Sequence, residues 1–237
     1  MEEIEILYED DFFVAVRKPV GILIHLTKMS EDKVSLMQVL RDQLGYRVYT
    51  VHRLDRATSG IVLFGKNQSA ANELSAIFRN QAIEKKYLAI LRGWVPDKGS
   101  IDYELSDPET GKLVPQQAVT HYLCLGKSEI NAAIGLRYPT ARFSLALVTP
   151  TTGRRHQIRK HFAHLRHPII GDKRHGDVKQ NKYFTEKFSL SRMFLHALQL
   201  SFIHPFSKKK LEIHCQPDKQ FFEGIKISGL GEFLPGQ

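Results

Sequence analysis

The chain has 237 residues, 42% hydrophobic and 25% charged, enough for a buried core in one large domain or two small ones. Its acidic start, Met1-Glu2-Glu3-Ile4-Glu5, lacks the charge and apolar pattern of a secretory signal, apolar runs such as Ile61-Val62-Leu63-Phe64 are too short to span a bilayer, and two cysteines, Cys124 and Cys215, make no disulfide framework, so a cytoplasmic protein with reduced thiols is expected. The net charge of +9 is unevenly placed: residues 1–150 carry 18 basic and 18 acidic side chains, whereas residues 151–214 carry 14 basic, 4 acidic and 8 of the 11 histidines. A neutral scaffold with one cationic segment fits a polyanion-binding protein, although a basic solvated face looks the same in composition.

Phe12-Phe13-Val14-Ala15-Val16 predicts a strand, Lys18-Pro19-Val20-Gly21 a turn, and Ile22 to His25 a second extended run. Apolar residues at 36, 39, 40 and 44 predict a helix from Ser35 that Gly45 stops. Tyr49 to His52 and Gly60 to Phe64 are expected strands joined by a polar loop, Arg53 to Ser59. Ser69 is expected to cap a helix with Ala70, Leu74, Ile77 and Phe78 on one face. Tyr87 to Leu91 predicts a strand. Residues 97–115, rich in Asp, Gly, Pro and Ser, predict a surface excursion. Strands follow at Ala118 to Leu125 and Ala141 to Val148. Ile158, Phe162 and Leu165 predict a helix over 153–166 that Pro168 closes, and the polar stretch 172–188 predicts a long basic loop. The last strands are Leu195 to Phe202 and Leu211 to His214. Strands and helices mix without a strict βαβ rhythm, which points to α+β.

The most informative loop is His52-Arg53-Leu54-Asp55-Arg56-Ala57-Thr58-Ser59-Gly60. Asp55 stands between two arginines, and nearby cations favour the ionised carboxylate. On residues alone, a catalytic carboxylate and an Asp that caps its own turn are both open.

This loop resembles the signature of the RluA-type pseudouridine synthases. Four further segments resemble motifs of that family in the expected order: Lys18-Pro19-x-Gly21-x-x-x-His25; Lys86-Tyr87-Leu88-Ala89; Gly153-Arg154-Arg155-His156-Gln157-Ile158-Arg159 with His167-Pro168-Ile169-Ile170-Gly171-Asp172; and Leu195-His196-Ala197 with His204-Pro205. The resemblance implies an α+β catalytic domain spanning 1–237. Its mixed, mostly antiparallel sheet is flanked by helices, and no RNA-binding domain is appended, since the first motif begins within about 20 residues of Met1. It implies an isomerase that turns uridine into pseudouridine in folded RNA without metal or organic cofactor. Asp55 is then the catalytic carboxylate, Arg159 its counter-cation and Tyr87 the ring that meets the flipped uracil. Arg53 would fill the gap left by the extruded base, and Leu195 would wall the pocket.

Within the family, Arg154-Arg155-His156-Gln157 and His175-Gly176-Asp177-x-x-Gln180-Asn181 look most like the members that act on tRNA. This implies a uridine of the acceptor–T-stem arm, with ribosomal RNA as the alternative substrate and a non-catalytic RNA-binding protein or chaperone as the alternative class. A monomer without an obligatory protein partner and without a membrane is expected. Arg56, Arg154, Arg155, Arg166, Lys173 and Arg174, with Lys179 and Lys182, are expected RNA contacts; on a helical wheel Arg155, Arg159 and Arg166 would form one ridge. His161-x-x-His164-x-x-His167 drifts around a helix with no acid or Cys nearby, so no metal site is expected. Asp97, Asp102, Glu104, Asp107 and Glu109 are expected to be a solvated acidic run, not a paired-carboxylate cleft.

Overall fold

The computed structural model describes residues 3–26, 33–107, 111–135 and 138–233. Their contacts divide the chain into two units: Met1–Lys85 with His196–Gln216, and Lys86–Leu195 with Pro217–Gln237.

In the first unit the strands are β1 (Ile6–Glu9), β2 (Phe13–Lys18), β3 (Tyr49–Thr50), β4 (Ser59–Gly65) and the bulk of β11 (Leu195–Ile203) and β12 (Lys210–His214). The order is β1-β2-β4-β11, with β3 on β4 and β12 on β11. The β4–β11 pair is parallel and the others are antiparallel, as expected of a mixed, mostly antiparallel sheet. All seven residues of β4 are buried because the sheet is covered on both sides. Phe13, Ala15, Ile61 and Leu63 pack toward Ala71 and Leu74 of α2 (Gln68–Arg79), while Val14, Val16, Val62 and Phe64 pack with Leu36 and Leu40 of α1 (Leu36–Leu44). The two-residue alternation thus feeds two cores from the same strands. Ser35 and Gln38 form a capping box on α1. The expected run Ile22 to His25 is not a strand: the carbonyls of Leu23 and Ile24 instead accept the N–H groups of Leu36 and Met37, which a helix start leaves without internal partners. Asn67, not Ser69, caps α2, its side chain accepting the Ala70 N–H at 2.9 Å.

In the second unit β5 (Ile83–Arg92, which enters from the first unit), β10 (Ala141–Pro150), β9 (Val119–Ile130) and β6 (Lys98–Asp102) lie side by side and antiparallel. Leu88, Ile90, Phe143 and Leu145 form one core with Phe194, Phe184 of α4 (Val178–Phe188) and Phe221 and Ile225 of α5 (Lys219–Ile227). Each such side chain contributes about 1.5–3 kcal/mol on burial.

Two expectations need correction here, and the expected surface excursion over 97–115 gains defined strands. The stretch 172–188 is not one long loop, since α4 occupies its second half. Asp177 caps that helix by accepting the N–H groups of Lys179 and Gln180, and Phe184 anchors it. The region 97–115 contains β6 and a hairpin of β7 (Leu105–Asp107) and β8 (Lys112–Gln116). The helix expected over 153–166 is only α3 (Gln157–His164): His156 and Arg166 have left-handed φ of 56° and 61° and bound it at either end. The expected ridge of Arg155, Arg159 and Arg166 therefore does not form. Arg155 precedes the helix, Arg166 follows it, and Arg159 is buried.

Candidate active site

Asp55 is half-buried on a turn closed by the Thr58 N–H donating to the Asp55 carbonyl at 3.1 Å. Three devices within the first unit hold that turn. The first is Lys18, at the end of β2 and fully buried. Its Nζ donates to the carbonyls of Thr58 (2.7 Å), Pro19 (2.9 Å) and Arg56 (3.1 Å). Three acceptors use three N–H groups, so this is the ammonium form. Buried charge is tolerated only when so fully bonded. The second device is reciprocal. Arg56 Nε donates to the Gly21 carbonyl at 2.9 Å, and the Gly21 N–H donates to the Arg56 carbonyl at 2.9 Å. The Lys-Pro-x-Gly segment is thus laced to the Asp55 loop.

The third device joins the loop to β11. Ser59 Oγ lies 2.9 Å from His196 Nδ1, and His196 Nε2 lies 2.8 Å from the Cys215 carbonyl. A carbonyl can only accept, so Nε2 carries a proton and donates to Cys215. The imidazole bridges the loop to the residue that follows β12. Beside it, Gly60 has φ +112°, and a Cβ there would lie 2.3 Å from the Ala197 carbonyl oxygen. Only glycine admits that approach. This geometry explains why Thr-Ser-Gly and Leu-His-Ala occur in one chain. His52 opens the loop: its Nε2 accepts the Leu63 N–H at 3.1 Å and its ring stacks on Phe78. Burial, with the Lys85 charge second, pushes its pKa down to about 3, so it stays neutral. Arg53 and Arg56 are exposed. His25 is also pushed below its ordinary value, by burial and then by the Arg53 charge.

In the second unit, Tyr87 is half-buried on β5, opposite Val148 of β10. Arg159, on the first turn of α3, is buried, and its fork meets Asp172: Nε to Oδ2 at 2.7 Å and Nη2 to Oδ1 at 2.8 Å. Burial opposes the charge on Asp172. The Arg159 guanidinium and the N–H groups of His175 and Arg174 outweigh it and hold the carboxyl below the usual range. Gln157 places α3 on β9. Its Oε1 accepts from Thr152 Oγ1 and the Arg154 N–H, and its Nε2 donates to the Val119 carbonyl and Thr120 Oγ1.

The other expected contacts divide into two sets. Arg155 pairs with Asp107 at 3.1 Å and Arg154 Nε donates to the Gln117 carbonyl, so both fasten the β7–β8 hairpin. Asp107 therefore leaves the expected solvated acidic run, while Asp97 pairs with Lys127 and Glu109 lies outside the described residues. Arg166, Lys173 and Arg174 are exposed, as are Lys179 and Lys182 on α4. Leu195 is buried at the start of β11. Among the described residues no three His, Cys, Asp or Glu side chains are grouped to hold a metal. His161 is hydrogen-bonded to Thr120 and the Tyr103 carbonyl, His164 stacks on Tyr103, and His167 bonds the Arg92 carbonyl. Among the described residues no helix is long and apolar enough to cross a membrane.

Sequence reasoning assigned no role to Lys18, His196 or Asp172. The available signal was a lysine closing an apolar strand directly before Pro, and an Asp following Gly in the motif that also carries Arg159.

Residues 12–164 match the family model described as RNA pseudouridylate synthase. The chain belongs to that family. It is an RNA pseudouridine synthase, an isomerase. It is similar to tRNA pseudouridine synthase C of Salmonella typhimurium, 43% identical over 98% of this chain and 92% of that one. The corresponding protein of Vibrio vulnificus is 42% identical over 93% and 94%. Among solved structures, human RNA pseudouridylate synthase domain containing 1 superposes with a TM-score of 0.71 at 27% identity, over 91% of this chain and 83% of that one. Human RNA pseudouridylate synthase domain containing 4 shares the fold, with a TM-score of 0.74 at 24% identity.

Proposed function

We propose that this pseudouridine synthase modifies a uridine in the acceptor–T-stem arm of tRNA, with Asp55 as catalytic carboxylate. The observation that carries the substrate is the 43% identity across 98% of the chain with a tRNA pseudouridine synthase C. That similarity runs over nearly the whole chain and not one motif alone.

The reaction breaks N1–C1′ and forms C5–C1′; the C5 proton leaves and N1 gains one, with no redox change. A stacked uridine cannot meet a carboxylate, so the base must leave the helix. Arg53, exposed at the mouth of the loop, takes the space it vacates. Asp55 either attacks the sugar or removes a sugar proton. Both roles need an ionised carboxylate on a fixed loop, and Lys18, Arg56 and Ser59–His196 supply the fixing. Arg159 serves as counter-cation to Asp55. The Tyr87 ring stacks on the uracil and its hydroxyl assists loss of the C5 proton. Leu195 walls the base pocket. Arg166, Lys173 and Arg174 contact phosphates. Arg56, Arg154 and Arg155 contribute less, because each already donates to the protein's own backbone or to Asp107. The enzyme acts in the cytoplasm as a monomer, without metal or cofactor.

The deciding experiment maps pseudouridine in tRNA and ribosomal RNA from cells with and without the gene. Loss of one acceptor–T-stem pseudouridine in tRNA is expected. Unchanged tRNA with a site lost from ribosomal RNA would refute the substrate.

A further inference from the structure

We infer that Asn181 is a positioning residue for RNA binding. It holds the basic turn Lys173-Arg174 in its phosphate-binding shape before RNA arrives. The inference rests on the reading that Lys173 and Arg174 contact phosphates.

The stretch His175-Gly176-Asp177-x-x-Gln180-Asn181 stands out in the sequence, yet the isomerisation itself gives it no task. In the structure it encloses the turn. Asn181 lies near the start of α4, and both ends of its side-chain amide are used. Oδ1 accepts the Gly171 N–H at 2.7 Å, and Nδ2 donates to the Asp172 carbonyl at 2.8 Å. It thus grips the two residues through which the chain enters the turn. Gly176 brings the chain back against the same point: a Cβ there would lie 2.1 Å from the Asp172 carbonyl oxygen. Beyond it, Asp177 accepts from Arg92 of β5 at 2.8 Å while capping α4. The His175 ring bonds the His156 ring, Nε2 to Nδ1 at 3.0 Å, at the start of α3.

Within 171–177 only Lys173 and Arg174 are exposed. The fixed groups are therefore the backbone and its supports, and the projecting groups are two neighbouring cations. Ordering a mobile turn on RNA costs binding energy, and a turn ordered in advance avoids that cost. Two cations on a fixed backbone also set the register of the RNA as well as attracting it. Asn181 reaches the turn from a separate element, so its loss loosens the turn without removing a charge.

The test is a double-mutant cycle in affinity for an unmodified tRNA transcript. It uses the full chain carrying Asp55→Asn, so that no RNA is converted during the titration. Alanine suits a helix better than asparagine, so Asn181→Ala should leave α4 intact. It should weaken binding by about 5- to 10-fold. Lys173→Ala/Arg174→Ala should weaken binding at least as much. Adding Asn181→Ala to that variant should change affinity by less than twofold, because no cation remains on the turn to position. Equal losses in both backgrounds would mark a general defect and overturn the inference. So would an Asn181→Ala affinity within twofold of its parent while Lys173→Ala/Arg174→Ala binds poorly. Unchanged affinity of Lys173→Ala/Arg174→Ala would overturn the reading of the turn itself, and the inference with it. Hydrogen exchange of the RNA-free wild-type chain needs no variant. The amides of Gly171, Arg174 and His175, which donate to Asn181 and Asp172, should be protected, and exchange at the rate of an open loop would overturn the inference.

Discussion

Replacing Lys18 with Met tests how far the Asp55 loop depends on one buried cation. Methionine fills nearly the same volume, so packing in β2 is conserved and the change falls on hydrogen bonding. Lys18 Nζ serves three carbonyls, those of Pro19, Arg56 and Thr58. Pro19 and Arg56 are exposed residues whose carbonyls water can reach after the substitution, whereas Thr58 is 2% exposed. One carbonyl is then left buried and unsatisfied, at about 1–3 kcal/mol. Loosening of the turn adds to this, and removal of a buried ammonium gives part of it back. A net loss of ~2–3 kcal/mol should lower Tm by about 5–10 °C for a chain of this size. The turn's closing bond, Thr58 N–H to the Asp55 carbonyl, lies beside the freed Thr58 carbonyl, so Asp55 itself should shift. Calorimetry gives the first quantity, and single-turnover pseudouridine formation at saturating tRNA gives the second, with a rate loss of about 10- to 100-fold expected. A Lys18→Met protein with unchanged Tm and a rate within twofold of wild type would refute the reasoning. The loop would then be held by Arg56–Gly21 and Ser59–His196 alone.

Asp55→Asn should abolish conversion while tRNA binding and Tm are retained, since the amide is nearly isosteric but cannot act as nucleophile or base; substantial single-turnover conversion would sink the assignment. Replacing Lys173, Arg174, Lys179 and Lys182 with Ala should weaken tRNA binding and reduce the log–log slope of its salt dependence by roughly 0.7–0.9 per lost phosphate contact, with little change in rate at saturation; an unchanged slope would remove these four from the footprint. His52 titrates at about 3 in the folded protein against an ordinary 6.5, so unfolding takes up a proton between those values. Its contribution to stability is complete above about pH 6.5 and is lost as pH falls toward 3, with the lowered pKa values of His25, His161 and His175 acting in the same direction. A His52→Gln variant should show a shallower fall in Tm between pH 6.5 and 4 than wild type; parallel curves would contradict the role of buried His52.

Local patterns determined much of this protein before any coordinates. The short apolar runs Phe13 to Val16 and Ile61 to Phe64 marked strands of the first unit, the stripe at 36, 40 and 44 marked α1, and the spacing around Asp55 marked the loop that resembles the family's signature. These are short-range properties, set by side-chain period and turn geometry within a few residues. Tertiary structure decided what long-range partners decide. Lys18 looks like a surface lysine until three carbonyls, two of them about 40 positions away, surround it. Ser59 and His196 are 137 residues apart and meet only because β4 and β11 run in parallel. Arg155 and Arg159 sit in one motif and both carry charge. One is exposed on Asp107 and the other buried on Asp172, because α3 begins between them at Gln157. The helix α4 was hidden for a related reason. Its sequence, VKQNKYFTEKF, buries only Phe184, so its period is too weak to show without the core that receives it and the Asp177 cap that starts it.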